Sequence, residues 1–149
     1  MINNPNNKNP RVGTSLVAAA IYRIWRYPDP EIIKLLYRLP PYVNVVYRRP
    51  LGTSNKEPKI AIILVSGRRH DNCFGAFKDT GMTVEQLSKA KTTQGFVDAF
   101  GNYYTKYEAL DLVIKNPKAN RIKAEKLAEL ERRLHNKGSR AELFSEDLW

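Results

Sequence analysis

Gly67-Arg68-Arg69-His70, directly after the apolar run at residues 59–65, carries the densest chemistry in the chain. Two guanidiniums beside an imidazole make a receptor for phosphate or carboxylate, because arginine offers a planar fork of donors. Gly67 lets the backbone approach a ligand closely. The plainer reading of Arg68-Arg69 is solvated charge on a surface loop. An enzymatic version would make His70 the acid/base and Arg69 the stabiliser of developing charge. No nucleophile or metal set accompanies His70, so no catalytic residue is assigned. Ser66, His70 and Asp71 are chain neighbours, which seldom point into one triangle. No GxxxxGK[ST] run is present, and Gly75 and Gly81 lie too far from Gly67 for a dinucleotide fingerprint. Cys73 reads as a buried, inert thiol. One cysteine and two histidines make a poor ligand set, and neither a metal nor a cofactor is expected.

A second cluster runs from Gln94-Gly95-Phe96-Val97-Asp98 to Gly101-Asn102-Tyr103-Tyr104. In the functional reading Phe96 or Tyr103 stacks on a base and Gln94 or Asp98 bonds its edge. In the plainer one this is a hairpin with its aromatics in the core and its turn at Gly101-Asn102. Asp98 and Glu108 are placed to pair with Arg68 or Arg69 and orient them, and Glu146 or Asp147 to orient His70. A third group, Arg23, Trp25, Arg26, Lys34, Arg38, Arg48 and Arg49, has few acids and many tyrosines around it, and suits a polyanion or a partner protein. The charges of residues 120–135 alternate in sign and read as a solvated face, with Glu129 placed to pair with Arg133.

These residues need elements to position them. A stripe of Val17, Ala20, Ile21, Ile24 and Trp25 predicts a first helix within residues 11–26, after a flexible Asn-rich lead at 1–10. Asp29 with Pro30 predicts the start of a second helix. Residues 42–49 read as a strand, and residues 51–58 as a turn-rich linker. Residues 59–65 (KIAIILV) read as a strand buried on both faces. Thr83 with Gln86 and Thr105 with Glu108 are capping boxes that start helices. Short strands are expected around 95–98 and 103–104, and a last helix over 120–135 that stops at Lys137-Gly138. The tail LFSEDLW is expected to dock on the body. The resulting fold class is α+β: a small mixed or antiparallel sheet packed with three or more helices, plus a basic N-terminal helical extension. A boundary is placed between an arm at 1–57 and a compact body at 58–149.

Composition bounds the partners. The 149 residues carry 25 Lys plus Arg against 15 Asp plus Glu, a formal net charge of +10, which favours polyanions. The first 57 residues hold nine basic and three acidic residues, so the charge is densest there. A single cysteine excludes an intrachain disulfide and fits a reducing compartment. The N-terminus lacks the order of a secretory signal, and the longest apolar stretches are far short of a membrane span. No membrane partner is expected.

Gly67, Arg69 and His70; Gln94, Gly95 and Phe96; Tyr104; Glu108 and Ala109; and Ser145-Glu146-Asp147-Leu148-Trp149 together form a recognisable pattern. Over residues 59–149 it resembles a group of small, mostly uncharacterised bacteriophage and prophage proteins. The sequence departs from that pattern at Tyr107, where the group more often carries arginine. The resemblance implies a phage origin and a host-cytoplasm setting, and no reaction. The leading expectation is a non-catalytic viral protein that binds an anionic ligand: nucleic acid, RNA included, or a nucleotide-like molecule. The alternatives are an inhibitor or adaptor contacting a host or phage protein, and an enzyme on a phosphate-bearing substrate.

Overall fold

Residues Leu16–Arg26 form a strand, β1, rather than the expected helix. The run LVAAAIYRIWR is buried along nearly its whole length. A surface helix would bury one stripe, whereas a central strand is covered on both faces. Three consecutive alanines favour a helix, but Ile21, Tyr22, Ile24 and Trp25 fit a pleated surface, and tertiary burial overrides the local preference. The structure, a computed structural model, describes residues 13–50, 59–136 and 141–149. The Asn-rich lead, the linker at 51–58 and the glycine stop at 138 lie outside the described residues.

The remaining elements follow in order: α1 (Pro30–Leu35), β2 (Asn44–Pro50), β3 (Ile60–Gly67), α2 (His70–Asp79), α3 (Val84–Ser88), β4 (Lys91–Asp98), β5 (Tyr103–Thr105), α4 (Lys106–Lys115) and α5 (Ala124–His135). A short 3-10 turn occupies Ser145–Asp147. The strands form one antiparallel sheet in the order β2-β3-β1-β4-β5, so the fold is α+β as expected. β1 is its central strand, which removes the helix predicted for 11–26 from the N-terminal extension.

The chain divides into two compact units, one of residues 20–94 and one of residues 1–19 with 95–149. In the first, β2 pairs with β3 from Asn44↔Ser66 to Pro50↔Ala61, with an irregularity between Val45 and Tyr47. Both strands belong to the same unit, and the boundary expected at 57/58 lies outside the described residues. The core joins Ile21 and Trp25 of β1, Ile32, Leu35 and Leu36 around α1, Ala61, Ile63 and Val65 of β3, and Cys73 and Phe77 of α2. Ile63, Leu64 and Val65 are successive residues on opposite faces of β3 and all are fully buried, as the apolar run predicts.

In the second unit the core joins Leu16, Phe96, Tyr104, Leu110, Val113, Leu130 and Leu143, with Leu148 and Trp149 packed against it. The tail therefore docks, with Trp149 ring-to-ring on Phe96 at 6.1 Å. Two asparagines hold the entry to β1: Asn116 Oδ1 accepts from Gly13 N at 2.8 Å, and Asn120 Oδ1 accepts from Leu16 N at 2.8 Å. Both capping boxes form: Thr83 and Gln86 exchange bonds at the start of α3, and Thr105 and Glu108 do so at the start of α4.

Candidate anion-binding surface

The junction between β3 and α2 holds the first group of expected site residues. Residues 70–79 are helical, so the Gly67–His70 segment is a tight strand-to-helix turn and not an open loop. Asn72 Oδ1 accepts from Arg69 N at 3.1 Å. Arginine has only donors and cannot return that bond, so the cap is one-sided. A Cβ on Gly67 would stand 3.2 Å from Cys73 Sγ and 3.3 Å from Asn72 Cβ, so glycine here serves close packing of the turn on the helix. Arg68 is exposed, Arg69 half-buried and His70 buried. Cys73 is fully buried, and burial pushes its thiol up to about 12, the inert state expected of it. The signal for α2 is Cys73, Ala76 and Phe77 at helical spacing, weakened by Gly75, a poor helix former inside the segment.

The second group lies in the β4–β5 hairpin. Phe96 pairs with Tyr104 and Val97 with Tyr103. Phe96 and Tyr103 are buried in the interior, which removes the exposed ring face that base stacking needs. Asp98 accepts from Phe100 N, Asn102 N, Asn102 Nδ2 and Tyr104 Oη, all at 2.9–3.0 Å. Its carboxylate thus closes its own turn, which leaves no oxygen to orient an arginine. Burial, aided by the Asp98 hydrogen bond, raises the Tyr104 hydroxyl above its ordinary value and keeps it a donor. Gly95 is fixed by contact: a Cβ there would collide with the Tyr104 carbonyl and the Tyr103 ring. Gln94, one residue earlier, is half-buried.

The tail carboxylates divide. Asp147 receives Arg133 Nη1 at 2.6 Å, Lys126 Nζ at 2.8 Å and the Phe144 amide at 2.7 Å. Burial pushes its carboxyl up, but bonds from Arg133, Lys126 and Phe144 together bring it below the ordinary carboxylate value. Its role is to tie α5 to the tail, in place of the orienting role expected of it. Glu129 bridges Lys126 at 2.9 Å and Arg133 at 3.6 Å, the latter as its spacing predicts. Glu146 is exposed and accepts from Ser145 Oγ at 3.3 Å.

The third group is part surface and part core. Arg23 and Trp25, expected at the surface, are buried, because β1 is a strand whose odd-numbered residues 21, 23 and 25 face the core of this unit. Trp25 Nε1 donates to the Gln86 carbonyl at 2.8 Å. Arg26, Lys34 and Arg38 are exposed, and Arg48 and Arg49 are half-buried on the edge strand β2. The Arg48 guanidinium lies 4.1 Å from the centre of the exposed Tyr37 ring, and its Nη1 donates to the Leu36 carbonyl at 3.1 Å. Among the described residues none of these five cations is in an ion pair, whereas Lys126 and Arg133 on α5 are both neutralised. Residues 20–94 carry thirteen basic and six acidic residues, net +7, which leaves +3 for the other unit.

A basic α+β protein with one antiparallel sheet and, among its described residues, a cationic edge without ion-pair partners and no helix long and apolar enough to cross a membrane is the class defined so far. Residues 45–149 match the phage T4 y16D protein family, and the chain belongs to it. No curated protein and no solved structure gives a significant match. The match takes in β2 as well as everything from β3 onward, so it begins before the span in which the motifs were recognised.

Proposed function

We propose that this phage protein binds nucleic acid, without catalysis, through the cationic surface of residues 20–94. The observation that carries the reading is the guanidinium of Arg48 stacked on the exposed Tyr37, among four further cations with no ion-pair partner among the described residues. A stacked, backbone-tethered guanidinium is pre-oriented for a phosphate or a base face, since little side-chain freedom is left to lose on binding. Arg26, Lys34, Arg38 and Arg49 add sequence-independent attraction to the phosphate backbone. The host cytoplasm is the setting, which a phage family and a single buried thiol support.

A titration of a fluorescent single-stranded oligonucleotide with the full chain, repeated over a range of salt, tests this. Five phosphate contacts give a log–log salt slope of about −3.5, and Arg48→Ala with Arg49→Ala lowers it to about −2. No binding at low salt, or a slope the double variant leaves unchanged, refutes the reading. The exposed tyrosines Tyr27, Tyr37 and Tyr42 share this unit and support a second reading, a contact for a host or phage protein, because tyrosine and arginine dominate interface hot spots. That reading is favoured if the oligonucleotide fails to bind while host protein is captured through Tyr37 and Tyr42.

A further inference from the structure

Arg23 is the most unusual charge in the molecule. Its residue is 6% exposed, in the middle of the central strand. The guanidinium lies 4.7 Å from the centre of the Phe77 ring and 5.6 Å from that of Phe74. Its Nη1 donates to Thr92 Oγ1 at 3.0 Å, and its buried Nε has no hydrogen-bond partner. Among the described residues no carboxylate pairs with it. Burial alone lowers its proton affinity, yet an arginine stays charged in any protein. A desolvated cation is expensive unless a counter-charge or several acceptors attend it. Two aromatic faces and one hydroxyl supply part of that compensation, and among the described residues no anionic group supplies the rest.

The neighbourhood leads outward. Thr92 and Gln94 alternate along β4 and so share the face on which Arg23 lies. Both are half-buried, as is Phe74. Among the described residues the Gln94 amide has no hydrogen-bond partner. A guanidinium, a hydroxyl, an amide and an apolar ring therefore share one face of the sheet within residues 20–94.

We propose that Arg23, Thr92 and Gln94 form a binding site for the oxyanion, carboxylate or phosphate, of a small ligand, with Phe74 against its apolar part. The ligand's charge completes the compensation of Arg23, and Gln94 selects its position by hydrogen bonding. This site is distinct from the Tyr37–Arg48 surface, so either can fail without the other.

The test uses the full chain with 15N-labelled arginine, titrated with inorganic phosphate, AMP and benzoate at constant ionic strength. The readout is the Arg23 Nε–H resonance, assigned by its loss in Arg23→Met. A saturable shift with a Kd of about 1 mM or tighter is expected from at least one probe. AMP or phosphate as the active probe identifies a phosphate ligand, and benzoate alone a carboxylate. Gln94→Ala, which keeps Arg23, weakens that probe about tenfold, and Arg23→Met abolishes its effect on thermal stability. Should Arg23→Met fail to fold, Gln94→Ala and Thr92→Val carry the test alone. No saturable shift with any probe, or an affinity unchanged in Gln94→Ala and Thr92→Val, overturns the proposal.

Discussion

Asp147 shows how much one carboxylate holds in this protein. It bonds two cations of α5 and a backbone amide of the tail. Its folded value lies below the unfolded one, so near pH 4 the unfolded chain binds more protons. The stability it contributes is therefore complete above the unfolded value and is lost as pH falls through the folded one. Asp147→Asn is expected to cost about 2 kcal/mol at neutral pH, discounted from a fully buried pair because Lys126 and Arg133 keep access to water. Thermal melts between about pH 6 and pH 3 should show the gap between wild type and variant narrowing with acid; a constant gap would count against the pairing. Sequence alone could show that a carboxylate in a +10 chain had an arginine to meet. It could not choose among arginines, because Arg133 lies 14 residues away and the choice depends on how α5 and the tail meet. Arg23 is misplaced for a different cause: a helical period through Ile21, Ile24 and Trp25 sets it on the opposite face, whereas the strand puts it on the face of Ile21 and Trp25.

At the level of elements, legibility followed local chemistry. The Thr83 and Thr105 capping boxes, the Asp29-Pro30 helix start and the β3 run are each set by residues a few positions apart, and each formed as expected. β1 was not legible because alanine-rich segments are decided by what covers them. α2 was not legible because an attractive cationic run drew its first turn into a loop. The hairpin was legible as a hairpin, but the reason for its glycine was not, since it lies in the partner strand. Gly95→Ala forces a methyl group onto the Tyr104 carbonyl and should cost about 3 kcal/mol, the upper end for overpacking. Urea unfolding measures this, and a loss below about 1 kcal/mol would mean that β4 and β5 part easily.

Across the whole molecule the charge is unevenly spread, and the uneven spread makes a prediction of its own. Lys126 and Arg133 of α5 are answered by Glu129 and Asp147, while the cations around α1 and β2 have no such partners among the described residues. Lys118, Arg121 and Lys123 are exposed in the unit that contains α5. Changing all three to alanine removes as much formal charge as changing Lys34, Arg38 and Arg48. If nucleic acid is drawn by net charge alone, both triples weaken binding equally. If it is drawn to the surface around Tyr37, the first triple changes affinity less than about threefold and the second by at least about thirtyfold at low salt. Anisotropy titrations of the two variants side by side decide between these outcomes.

β1 also has a history that follows from its position in the chain. Its residues 20–26 belong to one compact unit and its residues 16–19 to the other, whose remaining members begin only at Gly95. A ribosome working at about 5–20 residues per second delivers the partners of the second half of the strand seconds before those of the first. For that interval Leu16, which ends almost fully enclosed, lacks Phe96, Tyr104, Leu110 and Val113, with which it forms a core. The strand at the centre of the finished sheet is thus assembled from both ends of the synthesis, and its leading half is the last to find its place.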